Sequence, residues 1–262
     1  MENQLLDSDL LDKNNEGKSL QDLLSNGYET HAVDYIKKGF EIFKQNIAGF
    51  IGFLIVIGVI QAILGSIPIV KGLAFALIAP IMAGYYIVAK MIDKKEPHSF
   101  SNFFDGTKNY VSLLIVSVIP TLVVALIMLV VGGWTYFKIS FLGFKPEINF
   151  NNLNDLSSIA SATGLGARVG LAGLIAAVVS ILFMFATFFV LFEKFEPVNA
   201  LDISRKLISK KFVNWLGFLG LIMVFNFAGA LCLGIGLFVT IPSSICALYV
   251  AYEEVVGLNL RD

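Results

Sequence analysis

The chain has 262 residues, 56% hydrophobic and 15% charged, with a formal net charge of −1. A water-soluble domain carries about 45–50% apolar and about 25% charged residues, so this composition expects lipid as its solvent. The near-zero net charge excludes the broad basic field that nucleic acid requires, and two histidines, His31 and His98, are too few for a multi-histidine metal site.

Residues 1–30 are polar and acidic, with Glu2, Asp7, Asp9, Asp12, Glu16, Asp22 and Glu29 against Lys13 and Lys18. They lack a basic stretch leading directly into an apolar core, so they read as a disordered acidic tail rather than a signal peptide. The pairs Leu5-Leu6, Leu10-Leu11 and Leu23-Leu24 are candidate docking points for a protein partner. Thr30 is placed to cap a helix running to about Asn46, with Val33, Ile36, Phe40 and Phe43 on its apolar face. Such a segment suits the headgroup level of a bilayer.

The first span is expected at 47–66, and a second at 72–89 with Pro80 inside it. Ser99 then opens a second amphipathic segment whose apolar face is Phe100, Phe103, Phe104 and Thr107. A third span at 110–131 contains Pro120 and is followed by Trp134, Tyr136 and Phe137, an interfacial aromatic cluster. The outer loop, 133–167, is the one long polar connection between spans. Its Ser157, Ser158, Ser161 and Thr163 have no histidine near them in sequence and read as loop residues, not nucleophiles. The fourth span, 169–192, begins with Gly166, Gly170, Gly173 and Ala177, small residues at spacings that let two helices approach closely in lipid. Asn199 is placed to cap a third amphipathic helix with Ala200, Ile203, Leu207 and Ile208 on one face.

From Phe212 to Tyr252 about 40 residues pass without a charged side chain. One helix of that length would span roughly 60 Å, twice the about 30 Å hydrocarbon core, so the chain must double back. Gly234-Ile235-Gly236 supplies the turn, giving spans at 213–233 and 237–252. Cys232 and Cys246 fall inside this hairpin and read as small buried hydrophobes.

The sequence repeats itself. Asp93-Lys94-x-Glu96-Pro97-x-Ser99 matches Glu193-Lys194-x-Glu196-Pro197-x-Asn199. Asn46-x-x-Gly49-Phe50-x-Gly52 matches Asn214-x-x-Gly217-Phe218-x-Gly220, and Gly72…Pro80…Ala89 matches Gly234…Pro242…Ala251. The expected fold is therefore an all-α, polytopic membrane protein. Residues 31–256 form a single six-helix domain of three units, each an amphipathic interfacial helix plus a transmembrane hairpin, at about 31–93, 99–192 and 199–252. Residues 257–262 form a short tail. Lysine and arginine are concentrated on the side bearing the three amphipathic helices, which is expected to be cytoplasmic together with both termini.

At Ala200-Leu201-x-x-Ser204, Leu216-Gly217-Phe218, Gly234-x-Gly236-Leu237-x-x-Thr240-x-Pro242 and Tyr249, the chain resembles an uncharacterised bacterial six-span integral membrane family. That family is in turn similar to the membrane domain that precedes some glycerophosphoryl diester phosphodiesterases. The resemblance implies a fold, a lipid-related context and a bacterial cytoplasmic membrane. It supplies no catalytic residues, because no catalytic domain is attached.

The expected spans hold no ionisable side chain in their interiors, which argues against carboxylate-coupled transport and against paired-aspartate proteolysis. Gln61, Asn226 and Thr240 are the candidate cavity-lining residues. Their alternative role is to bond a neighbouring helix, at roughly 0.6–2 kcal/mol each. Thr240 and Ser244 are also placed to satisfy the carbonyl freed by Pro242. Glu96 and Glu196, in the repeated acidic turns, are candidate cytoplasmic docking residues or a weak cation pair, and otherwise favour the positive end of the following helix. No catalytic, cofactor or metal residue is expected. The leading expectation is a non-enzymatic membrane scaffold that contacts membrane lipids and a protein partner through its cytoplasmic face or tail. A transporter or lipid-handling protein is the alternative.

Overall fold

A computed structural model describes residues 20–67, 70, 72–141 and 165–257. Their regular structure is helical, and six helices are long and apolar enough to cross a membrane: Ile47–Gly65, Ala74–Asp93, Phe100–Val131, Gly170–Phe192, Phe212–Leu231 and Leu237–Val256. Expectations for 1–19, for the outer loop from 142 to 164 with its serines, and for the Trp134, Tyr136 and Phe137 side chains lie outside the described residues.

The elements are α1 (Leu20–Asn26), α2 (Ala32–Lys44), α3 (Ile47–Gly65), α4 (Ala74–Met82), α5 (Gly84–Asp93), a 3₁₀ segment (Phe100–Asn109) and α6 (Tyr110–Phe141). They continue as α7 (Leu165–Leu182), α8 (Ala186–Phe192), α9 (Pro197–Lys210), α10 (Phe212–Leu231) and α11 (Leu237–Val256). The second and fourth spans are each broken in two, at Ala83 and at 183–185. Helix α6 departs from helical geometry at Gly133, whose φ of 80° ends its apolar part just past the expected boundary.

The six spans are not equivalent. Half of the second span's apolar window is buried, as is 67% of the sixth's, against 17% for the first and fifth and 11% for the third. The even spans thus form the centre, and the odd spans turn most of their surface to lipid. The core is dense with rings. Phe53 packs on Tyr85 with centroids 4.8 Å apart, Phe188 stacks on Tyr252 at 4.8 Å, and Phe185 meets Trp215 edge-on at 4.9 Å.

Three short elements close over this centre, two of them by backbone contact. Helix α2 lies on α11 through Gly39, where a Cβ would run into the Ala247 backbone. Its fully buried face is Tyr35, Gly39, Ile42 and Phe43; of the expected face Phe43 is buried, Ile36 and Phe40 are half-buried against the core, and Val33 is exposed. Gly39 decides the face, because it alone lets the two backbones touch. The expected amphipathic helix thus packs on the core through one face.

The 3₁₀ segment lies across the break between α4 and α5. Gly84 is pressed against the Phe103 carbonyl and Gly106 against the Pro80 carbonyl, so neither has room for a Cβ. An α-helix is expected here, but the side chains favour the tighter winding. Ser99 donates its N–H to Asn102 Oδ1 (2.8 Å), Asn102 donates to Asp105 Oδ2 (2.9 Å), Thr107 donates to the Phe104 carbonyl (2.7 Å), and Lys108 pairs with Asp105 (2.7 Å). All four pairs are three residues apart, the spacing at which side chains eclipse in a 3₁₀ turn.

Helix α9 covers the break between α7 and α8, with Ala200, Ile203, Leu207 and Ile208 buried as expected. It starts one turn earlier than expected. Glu196 is the cap position and Pro197 the first helical residue, where its missing N–H costs nothing, so Asn199 sits inside the helix. Thr30 is likewise not a cap, since His31 holds that position for α2 and Thr30 accepts from Asn214 Nδ2 at 2.8 Å.

Part of the expected disordered tail is folded. Leu20 and Leu23 of α1 are buried, Tyr28 donates to the Leu207 carbonyl (2.8 Å), and Trp215 Nε1 donates to the Tyr28 hydroxyl (2.7 Å). Leu23 docks within its own chain. The small residues of α7 behave against expectation too, because a Cβ at Gly170 or Gly173 meets nothing within 4 Å, so among the described residues no helix packs closely on that face.

Candidate functional site

Two places gather polar side chains. The first lies within the last hairpin. Leu233 and Gly234, with φ of 54° and 77°, turn the chain, and Gly236 fits against the Gly229 backbone so that α10 and α11 touch. Asn226 Nδ2 donates to the Ile222 carbonyl and to Ser244 Oγ, both at 2.9 Å, and Ser244 donates in turn to the Thr240 carbonyl at 2.7 Å. Asn226 thus ties α10 to α11 by its donor half. Its Oδ1 is buried without a partner, and so are Thr240 Oγ1 and Gln61 Oε1. Tyr85 and Glu253 share this feature, through the Tyr85 hydroxyl and Glu253 Oε2, and no hydrogen bond links Gln61 on α3 to Asn226 or Thr240.

The carbonyl freed by Pro242 belongs to Phe238. Neither Thr240 nor Ser244 reaches it, because Ser244 is committed to Thr240 and the Thr240 hydroxyl bonds nothing. Pro80 has an outside donor within reach instead: Ser117 Oγ of α6 lies 3.0 Å from the Ala76 carbonyl, four residues before Pro80, and shares its one proton between that oxygen and the Leu113 and Leu114 carbonyls of its own helix at 2.9 and 3.0 Å.

Beside this hairpin a groove of about 500 Å³ runs between α3 and α11. Leu54, Gly58 and Ala62 form one wall, and Leu237, Phe238 and Ile241 the other. None of Gln61, Asn226 and Thr240 lines it.

The second place is the opposite end of the bundle, where α2, α5 and α11 end together. Lys94 Nζ pairs with Glu253 Oε1 at 2.8 Å and Lys38 with Asp93 at 3.5 Å, while Tyr249 donates to Asp93 Oδ2 at 3.2 Å. His31 Nδ1 meets Glu254 Oε1 at 2.6 Å, and Tyr35 donates to the same oxygen at 3.2 Å. The Glu253 hydrogen bond holds the Lys94 ammonium above its ordinary range, and the Glu254 carboxylate does the same for His31. Burial pushes the Tyr28 hydroxyl up to about 12. On α9, burial raises Asp202, but the bonds from Lys206 and Arg205 outweigh it and hold the carboxyl below its usual range.

Sequence reasoning missed this cluster. Its signal was Tyr249 followed by Glu253-Glu254, which puts a phenol one helical turn before a pair of carboxylates. The nominated Glu96 and Glu196 are both exposed, and no hydrogen bond or ion pair joins them. The repeated turns also differ in backbone, since the left-handed residue is Lys95 in one and Lys194, one step earlier in the motif, in the other.

No protein-family model matches the chain, and no curated protein or solved structure matches it significantly. The family resemblance stands on its motif residues alone. One of those residues has a defined place. Ser204 Oγ, fully buried, donates to the Leu182 carbonyl (2.9 Å) and accepts from the Phe185 N–H (3.2 Å), satisfying two backbone groups at the break in the fourth span. Among the described residues no group of three or more His, Cys, Asp or Glu is placed to hold a metal.

Proposed function

We propose that this is a non-enzymatic integral membrane protein that acts by packing against partners and organising the bilayer around it. Its setting in this reading is a bacterial cytoplasmic membrane, with both termini and the α2–α5–α11 end on the cytoplasmic side. The lysine excess near that end and the motif resemblance support this placement. One observation carries the functional reading: the interior is filled by interlocked rings, while the odd spans face outward with little of their apolar surface covered.

The same reading takes the chain as three units of one short helix plus one hairpin. The 3₁₀ segment covers the broken even span before it, and α9 does the same for the next. Helix α2 covers the last even span, which closes the set. Exposed Glu96 and Glu196, each beside such a closing element, are then candidate contacts for a soluble partner.

A transporter or lipid-handling role is the second reading, favoured by the unpaired acceptors on Gln61, Asn226 and Thr240. The two separate in one experiment. Glu96→Lys with Glu196→Lys should reduce quantitative co-purification of a protein partner in mild detergent without moving the melting temperature. A change in solute uptake by Asn226→Leu, again with no change in melting temperature, would replace the first reading by the second. Because Leu20, Leu23 and Tyr28 belong to the fold, a test of the tail removes residues 1–19, not 1–30.

A further inference from the structure

Each odd span is entered from a short helical element: α3 from α2, α6 from the 3₁₀ segment and α10 from α9. Lysines stand at all three junctions, but their surroundings differ. Lys44 pairs with Glu41 and Lys108 with Asp105, both at 2.7 Å, so the first two junctions hold their cations neutralised. At the third, Asp202 is already shared between Arg205 and Lys206, each at 2.8 Å. Lys210 and Lys211, both exposed, make no ion pair among the described residues. The outer side of α9 and its junction with α10 thus sets Arg205, Lys206, Lys210 and Lys211 against Asp202, a net charge of +3. Helix α10 starts at Phe212 without a side-chain cap, so the positive end of its dipole adds to the same spot.

What lies below these cations chooses the partner. A membrane span begins immediately after Lys211, which puts both lysines at headgroup level. Beneath them α10 turns Val213, Leu216, Met223, Val224 and Phe227 outward along one face, with Val213 76% exposed. Unneutralised cations above an apolar stripe match an anionic phospholipid, which carries its phosphate above its acyl chains. The acidic residues within 1–19 of this chain would match the cations alone and leave the stripe uncovered.

We propose that the α9–α10 junction binds an anionic phospholipid, with Lys210 and Lys211 on its phosphate and an acyl chain along the outward face of α10. A zwitterionic headgroup brings its own cation and gains less from the two lysines, so the site selects by headgroup charge. The inference is independent of whether the protein is a scaffold or a transporter.

The test compares the full-length protein with Lys210→Gln/Lys211→Gln, with Lys210→Arg/Lys211→Arg, and with the control Lys44→Gln/Lys108→Gln at the two neutralised junctions. Each is reconstituted in vesicles of equal parts phosphatidylglycerol and phosphatidylcholine, re-extracted in mild detergent and weighed by native mass spectrometry. The natural chain, the arginine variant and the control are expected to retain one phosphatidylglycerol in preference to phosphatidylcholine. A cation beside an anionic headgroup surface contributes about five-fold in affinity, so Lys210→Gln/Lys211→Gln should lose roughly 25-fold of that preference. All four should melt together, since the substituted side chains are exposed. An equal preference in the natural chain and Lys210→Gln/Lys211→Gln overturns the proposal, as does an equal loss in the control, which would make the effect one of overall charge. Displacement of the lipid by excess inorganic phosphate also overturns it, because the site would then hold free phosphate. A preference that appears only after residues 1–19 are removed would make the chain's own acidic segment the occupant and overturn it too.

Discussion

The Ser204 hydroxyl accepts a hydrogen bond from the Phe185 backbone N–H at 3.2 Å, across the break in the fourth span. The same oxygen donates to the Leu182 carbonyl, so one side chain on α9 replaces two bonds that a continuous helix would have made for itself. Serine can do this because its oxygen both donates and accepts. Ser204→Ala leaves a buried N–H and a buried carbonyl without partners and should destabilise the fold by about 1–3 kcal/mol. Thermal melting in detergent measures it. Ser209→Ala is the comparison: Ser209 Oγ donates to the Arg205 carbonyl on an exposed part of the same helix, and its loss should shift the melt far less.

Glycine has opposite consequences at two positions in this fold. Gly39 has the Ala247 backbone where its Cβ would be, whereas Gly217 has open space. Gly39→Ala should therefore force α2 off α11 and lower the melting temperature, with a cost of more than about 1–3 kcal/mol because backbone cannot yield as a side chain can. Gly217→Ala should leave stability unchanged or raise it, by up to about 1 kcal/mol, since alanine is the better helix former. Compared in one thermal series, only Gly39→Ala should lose stability, and a similar loss in both would refute the close α2–α11 contact.

That contact also marks the limit of what the sequence discloses. The six spans, the turn at Gly234 and the buried face of α9 follow from polarity and period, because lipid exacts the same price from every charged side chain in a span. The buried face of α2 does not follow. Val33 is apolar but exposed, and the residue that sets the packing, Gly39, adds no hydrophobicity. The breaks at Ala83 and 183–185 are equally silent, since the groups that cover them, Phe103 and Gly106 in one case and Ser204 in the other, are distant in sequence. Of the polar set, the sequence identifies Asn226 and Thr240 as polar groups in lipid, but their neighbours Ser244 and Gly229 come from helix pairing alone. The ion pairs of Asp93, Glu253 and Glu254 need three chain ends brought to one place, which no local pattern encodes.

Asn226 donates to Ser244 across the last hairpin, yet Asn226→Leu should be nearly neutral. The lost interhelical bond is worth roughly 0.6–2 kcal/mol in lipid. Against it, leucine removes the unpaired Oδ1, and Ser244 keeps its own bond to the Thr240 carbonyl, so no new orphan appears. The net change should stay within about 1 kcal/mol, because an unmade bond to a buried acceptor costs as much as a made one returns. A double-mutant cycle of Asn226→Leu with Ser244→Ala should give a coupling of about 0.6 kcal/mol, the average for such pairs in membranes. A loss above about 3 kcal/mol for the single variant would mean that Oδ1 has a partner in the membrane.

His31 makes the fold respond to pH at the end where α2 meets α11. Glu254 bonds the imidazole at 2.6 Å and raises its pKa, with Glu29 and Asp34 adding to the negative field. A raised folded-state pKa means that the protonated ring is favoured by folding. The stabilisation is then complete below the unfolded value, about 6.5, and is lost as pH rises through the higher folded value. Melting temperature measured in detergent at a series of pH values should therefore fall on going from acid to alkaline through that window. The shift should be small, because His31 and Glu254 both lie in contact with water. Glu254→Gln keeps the shape, leaves Tyr35 an amide oxygen to bond, and removes the charge, so it should flatten the slope by lowering stability mainly on the acid side. His31→Gln should flatten it as well, and combining the two should add nothing further. A slope unchanged in Glu254→Gln would transfer the effect to another titrating group and take the clamp between α2 and α11 out of the account.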